Sequence, residues 1–136
     1  MVILHSAERH AKHSISARQG RTCRAIVRAV AGMTGTRHDD FFARSRCPMP
    51  TAHARQTAMY LCHVLTGLTM TQVGRYFGRD RTTVAHACAV VEDLRDDPVF
   101  DAALDAIERR VTARRCASPA TSTTGAAGEA RHHGQC

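Results

Sequence analysis

Apolar side chains recur along this chain at intervals of three and four residues, the spacing that places them on one face of an α-helix. The segment Asp39–Phe42 predicts one short helical turn, with its aromatic side chains directed inward. Five longer segments carry the helical pattern: residues 22–33, from Thr51 or His53 to Leu65, 70–77, 81–94, and from Pro98 to about residue 115. We therefore expect an all-α domain in which each helix buries one face.

The same spacing predicts which residues face the interior. They are Ile26, Val27, Val30 and Met33 in the first helix, Ala54, Ala58, Leu61, Cys62 and Leu65 in the second, Val73 and Phe77 in the third, Val84, Cys88, Val91 and Leu94 in the fourth, and Phe100, Leu104, Ile107 and Val111 in the last. The chain has four phenylalanines, two tyrosines and no tryptophan, so we expect its aromatic residues to belong to this core.

Capping residues mark several helix ends. Gly67 and Gly78 are expected to end the second and third helices, because glycine readily adopts the left-handed conformation of a helix C-terminus. Thr69, followed three residues later by Gln72, is typical of a hydroxyl cap at a helix start.

Only a glycine turn separates the third and fourth helices, which predicts a helix-turn-helix within a small all-α domain of the Trp-repressor type. Asp80 is expected to cap the fourth helix by accepting the backbone N–H of Thr82 or Thr83. Arg81, Thr82 and Thr83 then point outward from the first turn of a recognition helix, where side chains meet base edges in the major groove. Glycine is also common in other helical hairpins, so this geometry alone leaves the ligand open.

Composition divides the chain into three parts. Residues 1–20 lack sustained periodicity and are rich in His, Ser and Arg, so we expect a flexible basic arm. Residues 21–115 form the predicted helix-turn-helix domain. Residues 116–136 are rich in Ala, Ser, Thr and Gly without a large apolar side chain, and are predicted to be disordered.

The formal net charge of +7 is concentrated in the first half of the chain. Residues 1–55 contain ten lysines and arginines against three acidic residues, whereas the remainder is nearly balanced. This distribution favours a polyanionic partner. A solubilising basic arm would produce the same imbalance.

The six cysteines include no Cys-x-x-Cys pair, and no secretory signal precedes them, which favours a reduced, cytoplasmic protein. His86 and Cys88 are expected on different faces of their helix, as are Cys62 and His63, so we expect no metal site. No oriented base or substrate pocket accompanies the cysteines, and we expect neither an enzyme nor a cofactor. The apolar stretch at residues 1–4 is too short to cross a membrane.

Three segments resemble the C-terminal DNA-binding domain of DnaA, the bacterial chromosomal replication initiator: Ala54–Leu61, Leu65–Leu68 and Val73–Cys88. A weaker similarity extends the match to roughly residues 24–95. Its most specific part is the run Arg-Asp-Arg-Thr-Thr-Val-Ala-His-Ala that begins at Arg79. The resemblance implies binding of a short, asymmetric box in double-stranded DNA.

The resemblance also implies roles for individual side chains. Asp80, Thr82 and Thr83 match the segment that reads bases in the major groove, and Arg81 replaces the family's histidine within it. Six further residues are expected to contact the DNA backbone or the minor groove: Arg44, Arg46, Arg55, Gln56, Arg79 and His86.

This chain departs from the family pattern in ways that affect DNA recognition. Arg81 favours guanine or phosphate, so we expect a preferred site that differs from the initiator's box. The turn has one glycine, Gly78, where the family has two. Pro48 and Pro50 favour extended backbone in the residues before them, so residues 43–51 are expected to form a loop. They also take up positions in the basic segment before the long helix, which leaves that segment less basic than in the family.

The sequence contains no Gly-x-x-x-x-Gly-Lys-Ser/Thr loop, so ATP-driven origin melting is not expected. We expect a freestanding, nucleoid-associated domain that binds specific DNA sites and regulates chromosomal replication initiation or transcription. The replication initiator or its regulators form a second expected class of partner. An alternative is a protein-interaction module that keeps the fold and binds a basic partner through acidic residues near the start of the last helix: Asp96, Asp97, Asp101, Asp105 and Glu108.

Overall fold

The computed structural model describes residues 14–44 and 48–117 of the chain. They form α1 (Ala17–Thr34), a 3₁₀ turn (His38–Phe41), α2 (Met49–Thr66), α3 (Met70–Phe77), α4 (Arg81–Leu94) and α5 (Pro98–Ala117). The predicted all-α fold is confirmed. Residues 1–13, Arg46 and the predicted tail from residue 118 lie outside the described residues. No helix in the described part is long and apolar enough to cross a membrane.

Helix α2 is the centre of the domain. Helices α1, α3 and α4 and the 3₁₀ turn all pack against it. Its middle turns are consequently buried on almost every side, with Ala54, Arg55 and every residue from Thr57 to Cys62 removed from solvent. The sequence pattern predicted a single buried face, because periodicity within one helix does not show how many neighbours surround it.

Helix α1 starts earlier than predicted, at Ala17 rather than at residue 22. Ser16 and Gln19 form a capping box, in which each side chain accepts the backbone N–H of the other residue. Residues 17–20 were assigned to the flexible arm and are in fact helical.

Helix α2 also starts earlier than predicted, at Met49, with Pro48 in the N-cap position. Pro50 fits into the first turn because backbone N–H groups there have no helical acceptor to lose. The predicted loop before α2 therefore ends at Pro48. At the other end of the domain, α5 continues to Ala117, beyond the predicted start of the tail.

Most of the predicted inner residues belong to the observed core. Met33 is an exception, with 44% of its surface exposed, because it lies beyond Val30, the last buried residue of α1. Phe42 stacks on Phe77 with ring centroids 5.5 Å apart, so aromatic contacts join the 3₁₀ turn to α3. Leu65, Leu94 and Phe100 are only partly buried.

Candidate nucleic-acid interface

Three residues, Gly78–Asp80, connect α3 to α4. Helix α3 begins with the predicted capping box, in which Thr69 and Gln72 exchange side-chain-to-backbone hydrogen bonds. The helix ends at Gly78, whose φ of 70° lies in the left-handed region that glycine adopts readily. Helices α3 and α4 pack against each other, so the predicted helix-turn-helix is confirmed.

Gly74 allows the turn to fold tightly onto α3. The N–H of Arg79 donates to the carbonyl of Gly74 at 2.7 Å. A Cβ atom at position 74 would collide with the Arg79 carbonyl oxygen. The sequence pattern predicted a turn glycine at position 78 but not the glycine at position 74. Its only signal was a glycine inside an eight-residue helix, where glycine is otherwise destabilising.

The start of α4 presents hydrogen-bonding side chains to solvent. Arg81, Thr82 and Thr83 are exposed in its first turn, and His86 is exposed one turn later. The other side of the helix faces the core through Val84, Ala87, Cys88 and Val91. A guanidinium and two hydroxyl groups are therefore available for base edges or phosphate oxygens.

Asp80 occupies the N-cap position of α4 with extended backbone, but its side chain makes no capping hydrogen bond. The prediction that it accepts the N–H of Thr82 or Thr83 is therefore wrong. A suitable cap position does not determine the side-chain torsion angles of an exposed carboxylate. The first backbone N–H groups of α4 thus lack this side-chain acceptor and retain the partial positive charge of a helix N-terminus.

Arg79 connects the turn to the segment that precedes α2. Its Nη2 donates to the carbonyl of Ala43. The next residue, Arg44, is exposed, so this hydrogen bond holds a basic surface side chain beside the α3–α4 turn. The structure therefore brings together two of the residues predicted to contact the DNA backbone or the minor groove.

Arg55 is buried, with only 9% of its surface exposed. Its Nε donates to the carbonyl of Phe41 at 3.2 Å, and its Nη2 donates to the carbonyl of Asp40 at 2.7 Å. These bonds fix the end of the 3₁₀ turn, from which the segment carrying Arg44 continues. The adjacent Gln56 is half-buried, and its Oε1 has no hydrogen-bond partner among the described residues.

Cys23, Cys62 and Cys88 are buried free thiols. Burial raises the pKa of the Cys62 thiol well above its ordinary value and also raises the pKa of Cys88. Both groups therefore remain protonated at neutral pH, whereas a cysteine nucleophile reacts as the thiolate. Within the described ranges no group of three His, Cys, Asp or Glu side chains could hold a metal ion.

The acidic start of α5 is engaged within the domain. Arg95, which follows α4, forms three ion pairs: Nε lies 2.6 Å from Asp101 Oδ1, Nη2 lies 2.8 Å from Asp105 Oδ1, and Nη1 lies 2.9 Å from Glu108 Oε1. We call these four residues the Arg95 cluster. The hydrogen bond to Glu108 raises the pKa of Arg95, and those to Asp101 and the Tyr60 hydroxyl add to the effect. Arg95 was not predicted as the partner of these residues, although three carboxylates on one helix face indicate a basic partner.

A tightly turned helix pair with arginine and threonine side chains exposed at the start of the second helix defines a helix-turn-helix of the DNA-binding class. Sequence comparison identifies the group within that class. The chain belongs to the bacterial DnaA protein helix-turn-helix family, whose model matches residues 23–91. That match extends from α1 to α4 and ends before α5.

Two similar curated proteins are both chromosomal replication initiator proteins DnaA. The protein from Lachnoclostridium phytofermentans is 44% identical over 62 residues, which cover 44% of this chain and 14% of the relative. The protein from Symbiobacterium thermophilum is 37% identical over 94 residues, which cover 68% of this chain and 20% of the relative. The chain thus spans a fifth or less of the length of these relatives.

Proposed function

We propose that this chain binds specific sites in double-stranded DNA and thereby regulates replication initiation or transcription. The observation that carries the proposal is the exposed Arg81-Thr82-Thr83 turn at the start of α4. Gly74 and Gly78 allow the tight connection between α3 and α4 that is typical of a helix-turn-helix. In that class the N-terminal residues of the second helix contact base edges in the major groove.

The side chains at the start of α4 differ in what they can read. Arg81 offers a bidentate pair of donors to guanine O6 and N7, and the exposed Asp80 carboxylate can accept from cytosine N4. Thr82 and Thr83 combine a hydroxyl with a methyl group that suits thymine. We therefore expect base discrimination to come mainly from Arg81, at about 1–3 kcal/mol for one good arginine–guanine pair.

Residues around the turn supply the contacts that position the domain on DNA. Arg44 is exposed beside the turn and is proposed to contact the backbone or minor groove, together with Arg46 from the same segment. His86 is proposed to contact the backbone one turn along α4. Phosphate contacts of this kind orient a protein on the duplex without reading sequence.

Arg55, Gln56 and Arg79 are proposed to act differently from the exposed arginines. The hydrogen bonds of Arg55 and Arg79 to backbone carbonyls support a positioning role, in which both hold the segment around Arg44 against the helix-turn-helix. Gln56, which is half-buried beside Arg55 in α2, is proposed to contribute to DNA binding.

The structure gives less support to the alternative of a module that binds a basic protein. Three of the five acidic residues invoked for that surface, Asp101, Asp105 and Glu108, are paired with Arg95. A basic partner would have to compete with these contacts.

Selection of bound duplexes from a random pool tests the proposal. Wild type is expected to enrich one short asymmetric motif, and Arg81→Ala to lose about 5- to 150-fold in affinity for it while binding to random duplex changes little. Arg109→Ala, which removes an exposed arginine from α5, is the matched control. Absence of duplex binding by wild type even at low salt would refute the proposal, because phosphate contacts strengthen as salt falls.

The motif also distinguishes the two regulatory roles. Enrichment of an initiator-like box would support control of replication, whereas an unrelated motif would support independent control of transcription. If Arg81→Ala lost equal affinity for the selected motif and for random duplex, Arg81 would contact only phosphate and would not read a base.

A further inference from the structure

Helix α1 carries a row of four exposed arginines on its outer face. Arg18, Arg21, Arg24 and Arg28 share this face at the helical repeat, and we call them the α1 arginine row. The buried residues of α1 lie on the opposite side. At 1.5 Å per residue the row is about 15 Å long, long enough to meet several phosphates of a duplex.

Among residues 14–44 and 48–117, no acidic side chain pairs with the α1 arginine row. The sequence of α1 contains no Asp or Glu. None of the four guanidinium groups forms an ion pair within the described ranges, in contrast to Arg95, which has three carboxylate partners. The row therefore presents a concentrated positive charge to solvent.

The α1 arginine row and the exposed first turn of α4 are carried by helices with different main neighbours. Helix α1 packs mainly on α2, α5 and the 3₁₀ turn, whereas α4 packs mainly on α2 and α3. Both helices use the central helix α2 as support, and each directs its exposed face away from it. Two-duplex binding requires that a duplex at the start of α4 leave the outer face of α1 accessible, and the bridging experiment below measures this directly.

We propose that the α1 arginine row is a second, sequence-independent binding surface for double-stranded DNA, so that one chain can hold two duplex segments. The inference rests on the proposed function only for the first segment, which α4 binds. Arginine suits the second contact because its planar fork of donors matches phosphate oxygens.

An anionic membrane is less well matched to this surface than duplex DNA. Interfacial helices insert an apolar face between lipid headgroups. In α1 the large aliphatic side chains Ile26, Val27 and Val30 are fully buried against the domain and cannot insert. The accessible face offers charge and hydrogen-bond donors, which is what a phosphate backbone requires.

A bridging assay with the full chain tests the inference. A duplex carrying the motif selected for α4 is immobilised, and capture of a labelled duplex without that motif is measured at about 50 mM salt. The triple variant Arg21→Ala/Arg24→Ala/Arg28→Ala is compared with Arg109→Ala/Arg110→Ala/Arg114→Ala, which removes the same charge from exposed positions of α5. Circular dichroism checks that both variants remain helical.

We expect wild type and the α5 variant to capture the second duplex, and the α1 variant to capture at least about tenfold less. Affinity of the α1 variant for a single motif-bearing duplex should stay within about twofold of wild type. A triple arginine-to-lysine variant of the same α1 positions should recover part of the capture, because it keeps the charge without the donor fork.

Three results would overturn the inference. Undiminished capture by the α1 variant would remove the role of the row. An equal loss of single-duplex binding would place the row within the first DNA surface. Loss of binding to phosphatidylserine-containing vesicles without any loss of duplex capture would assign the row to membranes. In each case motif binding by wild type would leave the proposed function intact, whereas its absence would refute that function separately.

Discussion

Gln19 and Gln72 connect the starts of two helices that are far apart in sequence. The Nε2 of Gln19, in the first turn of α1, donates to the carbonyl of Thr66 at 3.2 Å. The Nε2 of Gln72, in the first turn of α3, donates to the carbonyl of Ser14, just before α1, at 3.2 Å. The two amides thus join the start of α1 to the turn between α2 and α3.

Both glutamines also cap their own helices. The Oε1 of Gln19 accepts the N–H of Ser16 at 3.1 Å, and the Oε1 of Gln72 accepts the N–H of Thr69 at 2.8 Å. Each side chain therefore uses its acceptor locally and its donor for the tertiary contact. The helix-turn-helix is anchored to α1 at the place where α3 begins.

Gln72→Ala should lower the free energy of unfolding by about 1–2 kcal/mol, since it removes both a cap and a tertiary hydrogen bond. Gln72→Glu keeps the capping oxygen but replaces the donor with a carboxylate oxygen that faces the Ser14 carbonyl at a buried position, so a loss at least as large is expected. Urea unfolding measures both effects. Wild-type stability in Gln72→Glu would show that the bond to Ser14 contributes nothing.

The same measurement can test whether the two glutamines act together. The double variant Gln19→Ala/Gln72→Ala should lose less stability than the sum of the single variants, because either change already loosens the same junction. Additive losses would show that the two junction contacts are independent.

Gly74→Ala should destabilise the domain by about 2–4 kcal/mol, because the new Cβ would collide with the backbone at Arg79. The folded fraction of this variant should also bind the selected DNA motif more weakly, because the turn between α3 and α4 that positions Arg81 must open. Thermal unfolding and DNA affinity measured on the same samples separate the two effects.

Gly32→Ala is the matched control for this substitution. Gly32 lies inside α1, and a Cβ there meets nothing within 4 Å. The change should raise stability by about 0.5–1 kcal/mol, because alanine favours the helix more than glycine does. Equal effects of the two substitutions would contradict the close approach at Gly74.

Arg95→Ala should reduce stability by about 1–2 kcal/mol at low salt, because the carboxylates of Asp101, Asp105 and Glu108 lose their shared partner. Two of these carboxylates are more than one-third exposed, so the loss should shrink markedly as salt screens the charges. Urea unfolding at low and high salt checks this.

Arg95→Lys and Arg109→Ala complete the comparison for the Arg95 cluster. The lysine variant should retain part of the stability, since it keeps the charge but not the fork of donors. Arg109 is exposed on α5, the helix that carries the three carboxylates, and its removal should change stability little. The Arg95 guanidinium also lies over the Tyr60 ring, 5.9 Å from its centroid. A salt-independent loss in Arg95→Ala would mean that this contact dominates over the ion pairs.

Tyr76 should titrate unusually late. Burial raises the pKa of Tyr76 from 10.0 to about 12, and the neighbouring Cys23 and Cys62 add to the shift. The folded state then keeps a proton that the unfolded chain loses. The associated stability is complete below pH 10 and is lost as the pH rises towards 12.

Spectrophotometric titration of wild type against Tyr76→Phe isolates this group, since the chain has only two tyrosines. The difference in phenolate absorbance should have its midpoint near pH 12. Wild type should also lose stability relative to Tyr76→Phe over the same interval. A midpoint near the ordinary value of 10.0 would show that the ring hydroxyl is solvated.

Local signals in the sequence were sufficient for the helix pair that carries the candidate site. The Thr69–Gln72 capping box, the glycine at 78 and the outward-facing Arg81, Thr82 and Thr83 depend only on neighbouring residues, and the structure shows all of them. The start of α1 was missed even though Ser16 and Gln19 form the same kind of capping box. That helix start was not predicted because residues 17–20 show no apolar periodicity.

The sequence by itself determined the all-α class, the helix-turn-helix and the family, because helix periodicity, capping and a specific local motif are short-range properties. Only the tertiary structure decided that Arg55 is buried beneath the 3₁₀ turn, that Gly74 receives the backbone of Arg79, and that Arg95 gathers the acidic residues of α5. These relationships depend on which distant segments meet around α2. No repeat or motif along the chain encodes that meeting.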